Sequence, residues 1–102
     1  MQDETRSAAS LLDAEAENKE ILKRYRSLLR ACRNNIDKHD RKLIRLAFDT
    51  ALEAHKSMRR RSGEPYIYHP IAVAHIAAEE IGLGATSIVC ALFHDVVEDV
   101  NI

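Results

Sequence analysis

Residues 91–99, ALFHDVVED, place four ionisable side chains within six positions of an otherwise apolar segment. Charged groups inside a protein are costly unless they are paired or bind a metal ion. On a helix, at about 100° per residue, these four side chains share one face, and the apolar side chains share the other. Because residues 88–91 are apolar nearly all round, we expect the polar face to line a cleft within the domain. The four side chains are His94, Asp95, Glu98 and Asp99.

The adjacent residues His94 and Asp95 indicate a metal-binding pair. An imidazole nitrogen and a carboxylate oxygen on one cation suit manganese, iron or zinc better than calcium. Glu98, one turn later, and Asp99 are placed to position or deprotonate a metal-bound water. The alternative is that His94 is a hydrogen-bonded core histidine and that the two later carboxylates are solvated at a helix end. The spacing alone leaves both interpretations open.

His69 is the second histidine that we consider as a ligand. It directly precedes Pro70 at the entry to a predicted helix, one helix and one turn before His94. Two neighbouring antiparallel helices would bring His69 beside the pair formed by His94 and Asp95. The other three histidines are weaker candidates: His39 is predicted to be exposed, and His55 and His75 are predicted to be structural.

A basic run lies before that third helix. Residues 56–61 contain one lysine and three arginines, directly before Ser62. Clustered guanidinium groups in a chain of balanced charge indicate an anionic ligand, since arginine forms paired hydrogen bonds with phosphate. The alternative is a solvated run at a helix end, where cations interact favourably with the helix dipole. Tyr66 and Tyr68, which follow, would either stack on a base or cover the core.

Composition narrows the class of protein. The 102 residues suffice for one compact domain, and the formal net charge of −1 argues against a general nucleic-acid or membrane-surface binder. The polar N-terminus is not a secretory signal, and no apolar run approaches the roughly 20 residues of a membrane span. Cys32 and Cys90 lie in apolar periodic segments and are interpreted as buried, reduced thiols. We therefore expect a cytoplasmic protein.

Apolar spacing predicts an all-α fold with four helices after a flexible leader, residues 1–10. The first helix covers residues 11–32, and the second begins at a cap formed by Asp37 or Asp40. The third covers residues 71–81, with Pro70 in its first turn. The fourth is capped by Thr86 or its neighbour and continues to about Asp99.

Each of the first two helices is predicted to bury one apolar stripe of its own side chains. The stripe of the first helix consists of Ile21, Leu22, Tyr25, Leu28, Leu29 and Cys32. The stripe of the second consists of Leu43, Ile44, Ala47, Phe48, Ala51, Ala54 and Met58.

Two segments together resemble a known family. Residues 54–82, AHKSMRRRSGEPYIYHPIAVAHIAAEEIG, and residues 86–99, TSIVCALFHDVVED, closely resemble the N-terminal hydrolase domain of RelA/SpoT-type (p)ppGpp synthetase/hydrolases. That domain is a member of the HD-domain phosphohydrolase superfamily. The resemblance extends from about Tyr25 to the C-terminus. The pattern R-x-S-G-E-P-Y-I-x-H-P followed at this separation by H-D-x-x-E-D is far more specific than an isolated His-Asp pair.

The resemblance implies an HD-type helical bundle that holds one manganese ion. It implies an enzyme of the stringent response that removes pyrophosphate from the 3′ position of (p)ppGpp, giving GDP or GTP. Carried over by motif, the metal ligands would be His69, His94 and Asp95, and the acidic pair that handles the attacking water would be Glu98 and Asp99. The residues that line the nucleotide pocket would be Arg60, Arg61 and Ser62.

The sequence departs from the family pattern at its C-terminal end. The family's fourth metal ligand is an aspartate on a later helix, and this chain ends at Ile102. Residues 11–102 are therefore expected to be the N-terminal part of the hydrolase domain, an incomplete bundle with little or no activity alone. The expected partners are the (p)ppGpp nucleotide, the synthetase and regulatory domains of a longer protein, and a second copy bound through exposed apolar faces. We expect no direct contact with nucleic acid or membrane.

Two other hypotheses remain open from the sequence. The first is a non-catalytic module that binds the nucleotide or regulates an attached synthetase. The second is a helical interaction domain in which the motif residues are structural. The acidic pair Glu98 and Asp99 favours the enzyme.

Overall fold

Caps and breaks in the sequence determine where most of the helices begin and end. The computed structural model describes the backbone of residues 2–81 and 84–99, and the side chains of residues 13–79, 84–94 and 96. The helices in that part of the chain are α1 (Gln2–Cys32), α2 (Lys38–Ala54), α3 (Tyr68–Ile76) and α4 (Ala85–Asp99). A 3₁₀ turn, Arg33–Asn35, follows α1, and a π-helical segment, Ala77–Ile81, follows α3.

The all-α prediction is confirmed for the described residues. The β pairing among them is a single antiparallel bridge between Arg59 and Pro65. The predicted leader, residues 1–10, belongs to α1 from Gln2 onward, and its flexibility stays a prediction because it is a statement about motion. Among the described residues, no helix combines the length and the apolar character needed to cross a bilayer.

The junction between α1 and α2 is a capping box. Asp37 is the N-cap of α2: its side chain accepts a hydrogen bond from the backbone N–H of Asp40 at 2.8 Å. The side chain of Asp40 accepts in return from the backbone N–H of Asp37 at 3.1 Å. Each residue satisfies a backbone donor that the first turn of a helix would otherwise leave unpaired. The two predicted capping residues thus act together.

Two predicted boundaries are corrected. The third helix begins at Tyr68, before the predicted position 71, and after Ile76 it continues in π-helical geometry to Ile81, the predicted end. Helix α4 begins at Ala85, and the backbone N–H of Ile88 donates to the carbonyl of Gly84 at 3.3 Å. The first acceptor of α4 is therefore the backbone of Gly84, and Thr86 lies inside the helix instead of capping it.

The core lies where α4 packs against α2 and α3, and where α1 packs against α3. Tyr25 of α1 stacks on Phe48 of α2, with ring centroids 4.2 Å apart. Burial of such apolar faces is the main source of stability for helices of this length. The residues of the core that are fully inaccessible include Leu28, Cys32, Ile44, Phe48, Ala51, Ala74, Ile88 and Leu92.

Three residues predicted to be buried are exposed. Leu22 and Leu43 are 36% and 43% accessible, because each lies at the edge of a stripe whose centre faces the neighbouring helices. Cys90 is exposed, whereas Cys32 is buried as predicted, and burial raises the pKa of the Cys32 thiol. Leu43 and Cys90 line a largely apolar groove of about 390 Å³ between α2 and α4, to which Leu46, Val89 and Phe93 contribute. Self-association through exposed apolar faces stays a prediction.

Candidate functional site

Helix packing brings together the side chains of His69 and His94. His69 lies in the first turn of α3 and is partly buried, and His94 lies on the exposed face of α4. Their ring centroids are 6.3 Å apart, and their planes are inclined by 57°. The predicted meeting of these two histidines, one from each of two neighbouring helices, is therefore present in the structure.

The hydrogen bonding of His94 bears on which ring nitrogen could bind a metal ion. Nδ1 of His94 lies 3.2 Å from the carbonyl oxygen of Ala91, and a carbonyl only accepts, so the hydrogen bond places the ring proton on Nδ1. The lone pair then lies on Nε2, which is the usual arrangement of a ligating histidine. The centroid separation of 6.3 Å brings the two rings close together without defining a metal geometry, so a shared ion stays a prediction.

The three acidic candidates lie on the backbone of α4, and their side chains lie outside the described residues. Asp95 directly follows His94, and Glu98 and Asp99 follow one turn later. Among the described side chains alone, no group of three or more potential metal ligands occurs. The metal-binding role of Asp95 and the catalytic roles of Glu98 and Asp99 therefore stay predictions.

The basic loop, defined as residues 59–65, forms a cavity that extends to His69. The cavity has a volume of about 610 Å³, enough for a drug-sized or nucleotide-sized ligand. Arg60, Arg61 and Ser62 all line it, and their role in nucleotide binding stays a prediction. Because His69 belongs both to this lining and to the histidine pair, the basic cavity and the candidate metal position are parts of one site. The remaining lining residues are Arg59, Glu64 and Tyr66.

A tight turn gives the basic loop its shape. The N–H of Gly63 donates to the carbonyl of Arg60 at 2.8 Å, and the N–H of Arg60 donates to the carbonyl of Glu64 at 3.0 Å. Gly63 has φ of 93°, a left-handed conformation that residues with a side chain rarely adopt. The turn therefore requires glycine at this position, and it places Arg61 and Ser62 at its tip.

The arginines along the cavity differ in how closely they pair with carboxylates. Nε of Arg60 lies 4.0 Å from a carboxylate oxygen of Glu64, a long and exposed contact that neutralises little charge. Arg61 makes no ion pair with any described residue. Arg59 pairs with Glu17 of α1. The cavity therefore offers the guanidinium groups of Arg60 and Arg61 to an anion.

A row of rings behind the cavity was not identified from the sequence as part of the site. His55, 2% accessible, stacks on Tyr66 with centroids 4.8 Å apart, and Tyr66 meets His69 edge-on at 6.0 Å. The prediction that His55 is structural is confirmed by its burial, but its contact with a cavity residue links it to the site. His39 is exposed, as predicted. His75 is only partly buried, and its Nδ1 lies 3.6 Å from a carboxylate oxygen of Glu79 in the π-helical segment that follows α3.

Comparison with known proteins identifies relatives of the chain. The sequence model of the HD-domain family matches residues 47–102, more than half of the chain. The bifunctional (p)ppGpp synthase/hydrolase RelA of Mycobacterium tuberculosis is 48% identical over 62 residues, 61% of this chain and 8% of that protein. The bifunctional (p)ppGpp synthase/hydrolase SpoT of Escherichia coli is 50% identical over 58 residues, 57% of this chain and 8% of that protein.

A probable GTP pyrophosphokinase of Mycobacterium leprae is 53% identical over 57 residues, 56% of this chain and 7% of that protein. The chain thus spans less than a tenth of the length of these relatives. The region matched by the HD-domain model, residues 47–102, holds the basic loop, α3 and α4, which together form the site described above.

Proposed function

The chain belongs to the HD-domain family, and we propose that it contributes to a manganese-dependent hydrolase site that removes pyrophosphate from the 3′ position of (p)ppGpp. One observation carries this proposal: His69 is shared by the histidine pair and by the arginine-lined cavity. A hydrolase that acts on a multiply phosphorylated nucleotide needs these two features in contact. The names of relatives that include (p)ppGpp hydrolases support the choice of substrate.

Two described histidines supply the nitrogen ligands in this proposal. His69 and His94 would hold the manganese ion together with Asp95, the residue next to His94. When bound, the ion would supply Lewis-acid polarisation of a phosphoryl oxygen. The hydrogen bond from Nδ1 of His94 to Ala91 orients the ring and leaves Nε2 as the nitrogen that would bind the ion.

Binding of the phosphate groups is assigned to the basic loop. Arg60 and Arg61 would each donate paired hydrogen bonds to phosphate oxygens, which neutralises charge and fixes the orientation of the pyrophosphate group. Ser62 at the tip of the turn would donate a further hydrogen bond. In the reaction, a water oxygen bonds to phosphorus and the bond from phosphorus to the ribose 3′ oxygen breaks. Glu98 and Asp99 are proposed to take the proton of the water and to return it to the 3′ oxygen, which leaves as a hydroxyl.

A second function is a nucleotide-binding or regulatory module without catalysis. The observation that favours it is that Arg60 and Arg61 line the cavity without a close ion-pair partner among the described residues, so that they could bind phosphate groups without a metal ion. Such a module would bind the nucleotide equally well with and without manganese. A cytoplasmic location is part of both proposals and stays a prediction.

One experiment separates the two functions. Release of pyrophosphate from guanosine 3′,5′-bis(diphosphate) is measured with manganese and with a chelator, in parallel with nucleotide binding by calorimetry. Slow release that requires manganese and is lost in His94→Ala supports the hydrolase, with the exposed His39→Ala as the matched control. Nucleotide binding that is indifferent to the chelator, with no release, supports the module. If neither release nor nucleotide binding occurs, both proposals fail.

A further inference from the structure

One ion pair attaches the basic loop to the first helix. Both terminal nitrogens of Arg59 donate to the carboxylate of Glu17, Nη2 to Oε1 at 2.9 Å and Nη1 to Oε2. The two residues are 42 positions apart in the chain. Each of the other ion pairs between described residues joins side chains only three or four positions apart. Within the described part of the chain, the contact between Glu17 and Arg59 is therefore the ion pair that connects separate elements.

The same guanidinium group also reaches the turn of the loop. Nη1 of Arg59 donates to the carbonyl oxygen of Gly63 at 3.1 Å. Gly63 is the residue whose left-handed conformation makes the turn possible. The contacts thus form a continuous chain from the carboxylate on α1, through Arg59, to the backbone at the tip of the loop.

The side chain of Arg59 lines two cavities. In front of it lies the large basic cavity that Arg60 and Arg61 also line. Behind it lies a smaller cavity of about 160 Å³, whose lining includes Glu17 and the buried His55. A guanidinium group held in place at this position supports the loop from behind.

We infer that Glu17 is a positioning residue for the basic loop. It holds Arg59 in place and thereby presents Arg60, Arg61 and Ser62 to a pyrophosphate-bearing ligand. The inference rests on the proposed function of the cavity. Its physical basis is preorganisation, since a loop that is already held in its binding conformation loses less entropy when the anion binds. Bidentate pairing between arginine and carboxylate is the geometry best suited to this task, because it fixes the orientation as well as the distance.

The charge states of the two groups favour a persistent contact. The hydrogen bonds from Arg59 lower the pKa of the Glu17 carboxyl, and the same contact raises the pKa of the Arg59 guanidinium. Both groups are therefore charged at neutral pH.

Glu17 has two possible effects on anion binding, and they have opposite signs. As a nearby negative charge, it would weaken binding, so that its removal would tighten the complex. As a positioning residue, it strengthens binding, so that its removal weakens the complex. The sign of the change in affinity therefore distinguishes positioning from charge alone.

The test measures binding of inorganic pyrophosphate to the whole chain by calorimetry in three variants. Glu17→Met removes both acceptor oxygens but keeps a side chain of similar length. We expect the dissociation constant of pyrophosphate to rise by about threefold to fivefold in this variant. Glu17→Gln keeps one acceptor oxygen and is expected to lie between the parent and Glu17→Met. The control is Glu20→Met on the same helix, whose partner Arg24 does not line the basic cavity, and it is expected to match the parent. Unchanged or tighter binding in Glu17→Met would overturn the inference.

Hydrogen exchange supplies a readout that needs no ligand. The amide protons of Arg60 and Gly63 form the hydrogen bonds of the turn, and in Glu17→Met their protection is expected to fall by about threefold to fivefold while that of core amides stays constant. Unchanged protection of these two amides overturns the inference even if pyrophosphate does not bind. Failure of the parent chain to bind pyrophosphate overturns the proposed function of the cavity instead.

Discussion

His55 stacks on Tyr66 with ring centroids 4.8 Å apart, so that a fully buried histidine lies directly behind a residue that lines the basic cavity. Nδ1 of His55 is 3.1 Å from the carbonyl oxygen of Ala51. Nε2 of His55 is buried and has no hydrogen-bond partner among the described residues. A buried nitrogen without a hydrogen-bond partner destabilises the folded protein relative to an apolar group of the same shape. The ring is therefore expected to contribute through packing.

The first prediction follows from this packing. His55→Ala leaves a cavity behind Tyr66 and is expected to lower the free energy of unfolding by about 2–3 kcal/mol. His55→Leu refills much of that volume without an unpaired nitrogen and is expected to cost less than about 1.5 kcal/mol. Urea denaturation measures both changes, with the exposed His39→Ala as the control. Equal losses in the two His55 variants would contradict the packing explanation.

The second prediction concerns metal binding by the histidine pair. Manganese at saturating concentration is expected to raise the melting temperature of the chain, because an ion that binds only the folded state stabilises it. A chelator should reverse the increase. His69→Ala and His94→Ala should each weaken manganese binding by at least about tenfold, since each removes a nitrogen ligand. His75→Ala, which alters a partly buried histidine outside the pair, serves as the control, and an equal loss in that variant would refute the assignment.

The third prediction concerns the arginines of the basic loop. Arg61 makes no ion pair with any described residue, whereas Arg60 lies 4.0 Å from Glu64. Arg61→Met is therefore expected to weaken pyrophosphate binding by about tenfold at low salt, and more than Arg60→Met does. Both variants should reduce the dependence of affinity on ionic strength, because fewer exposed charges are screened. Calorimetry at two salt concentrations measures the affinity for pyrophosphate and its salt dependence. The control is Arg33→Met, which alters an exposed arginine of the turn after α1.

The fourth prediction concerns the pH dependence of the ion pair between Glu17 and Arg59. The pKa of Glu17 is lowered from about 4.5 by the hydrogen bonds from Arg59, so the folded state favours the ionised carboxylate. The stabilisation is present in full above the ordinary pKa and is lost as the pH falls through the lowered value. The difference in free energy of unfolding between the parent chain and Glu17→Gln should therefore be constant from about pH 7 to pH 5.5 and shrink at lower pH. A difference that grows on acidification would contradict the pairing.

Much of the local structure follows from the sequence itself. The cap of α2 at Asp37 and the end of α1 at Cys32 depend on residues within a few positions of one another, and both were predicted. The motif residues His69 and His94 were also identified from the sequence, because their types and spacing carry the chemistry. These features need no knowledge of which helix packs against which.

The tertiary structure alone decided the relationships between distant residues. Glu17 meets Arg59 because α1 packs beside the basic loop, and no local pattern encodes a contact between residues so far apart. Cys90 and Leu43 are exposed because α2 and α4 present other faces to the core, although both residues lie in apolar segments. Periodicity identifies an apolar stripe on a helix. How much of that stripe is buried depends on the helices that pack against it. For this protein, the sequence determined the chemical groups of the site, and the packing of the helices decided which of those groups lie together.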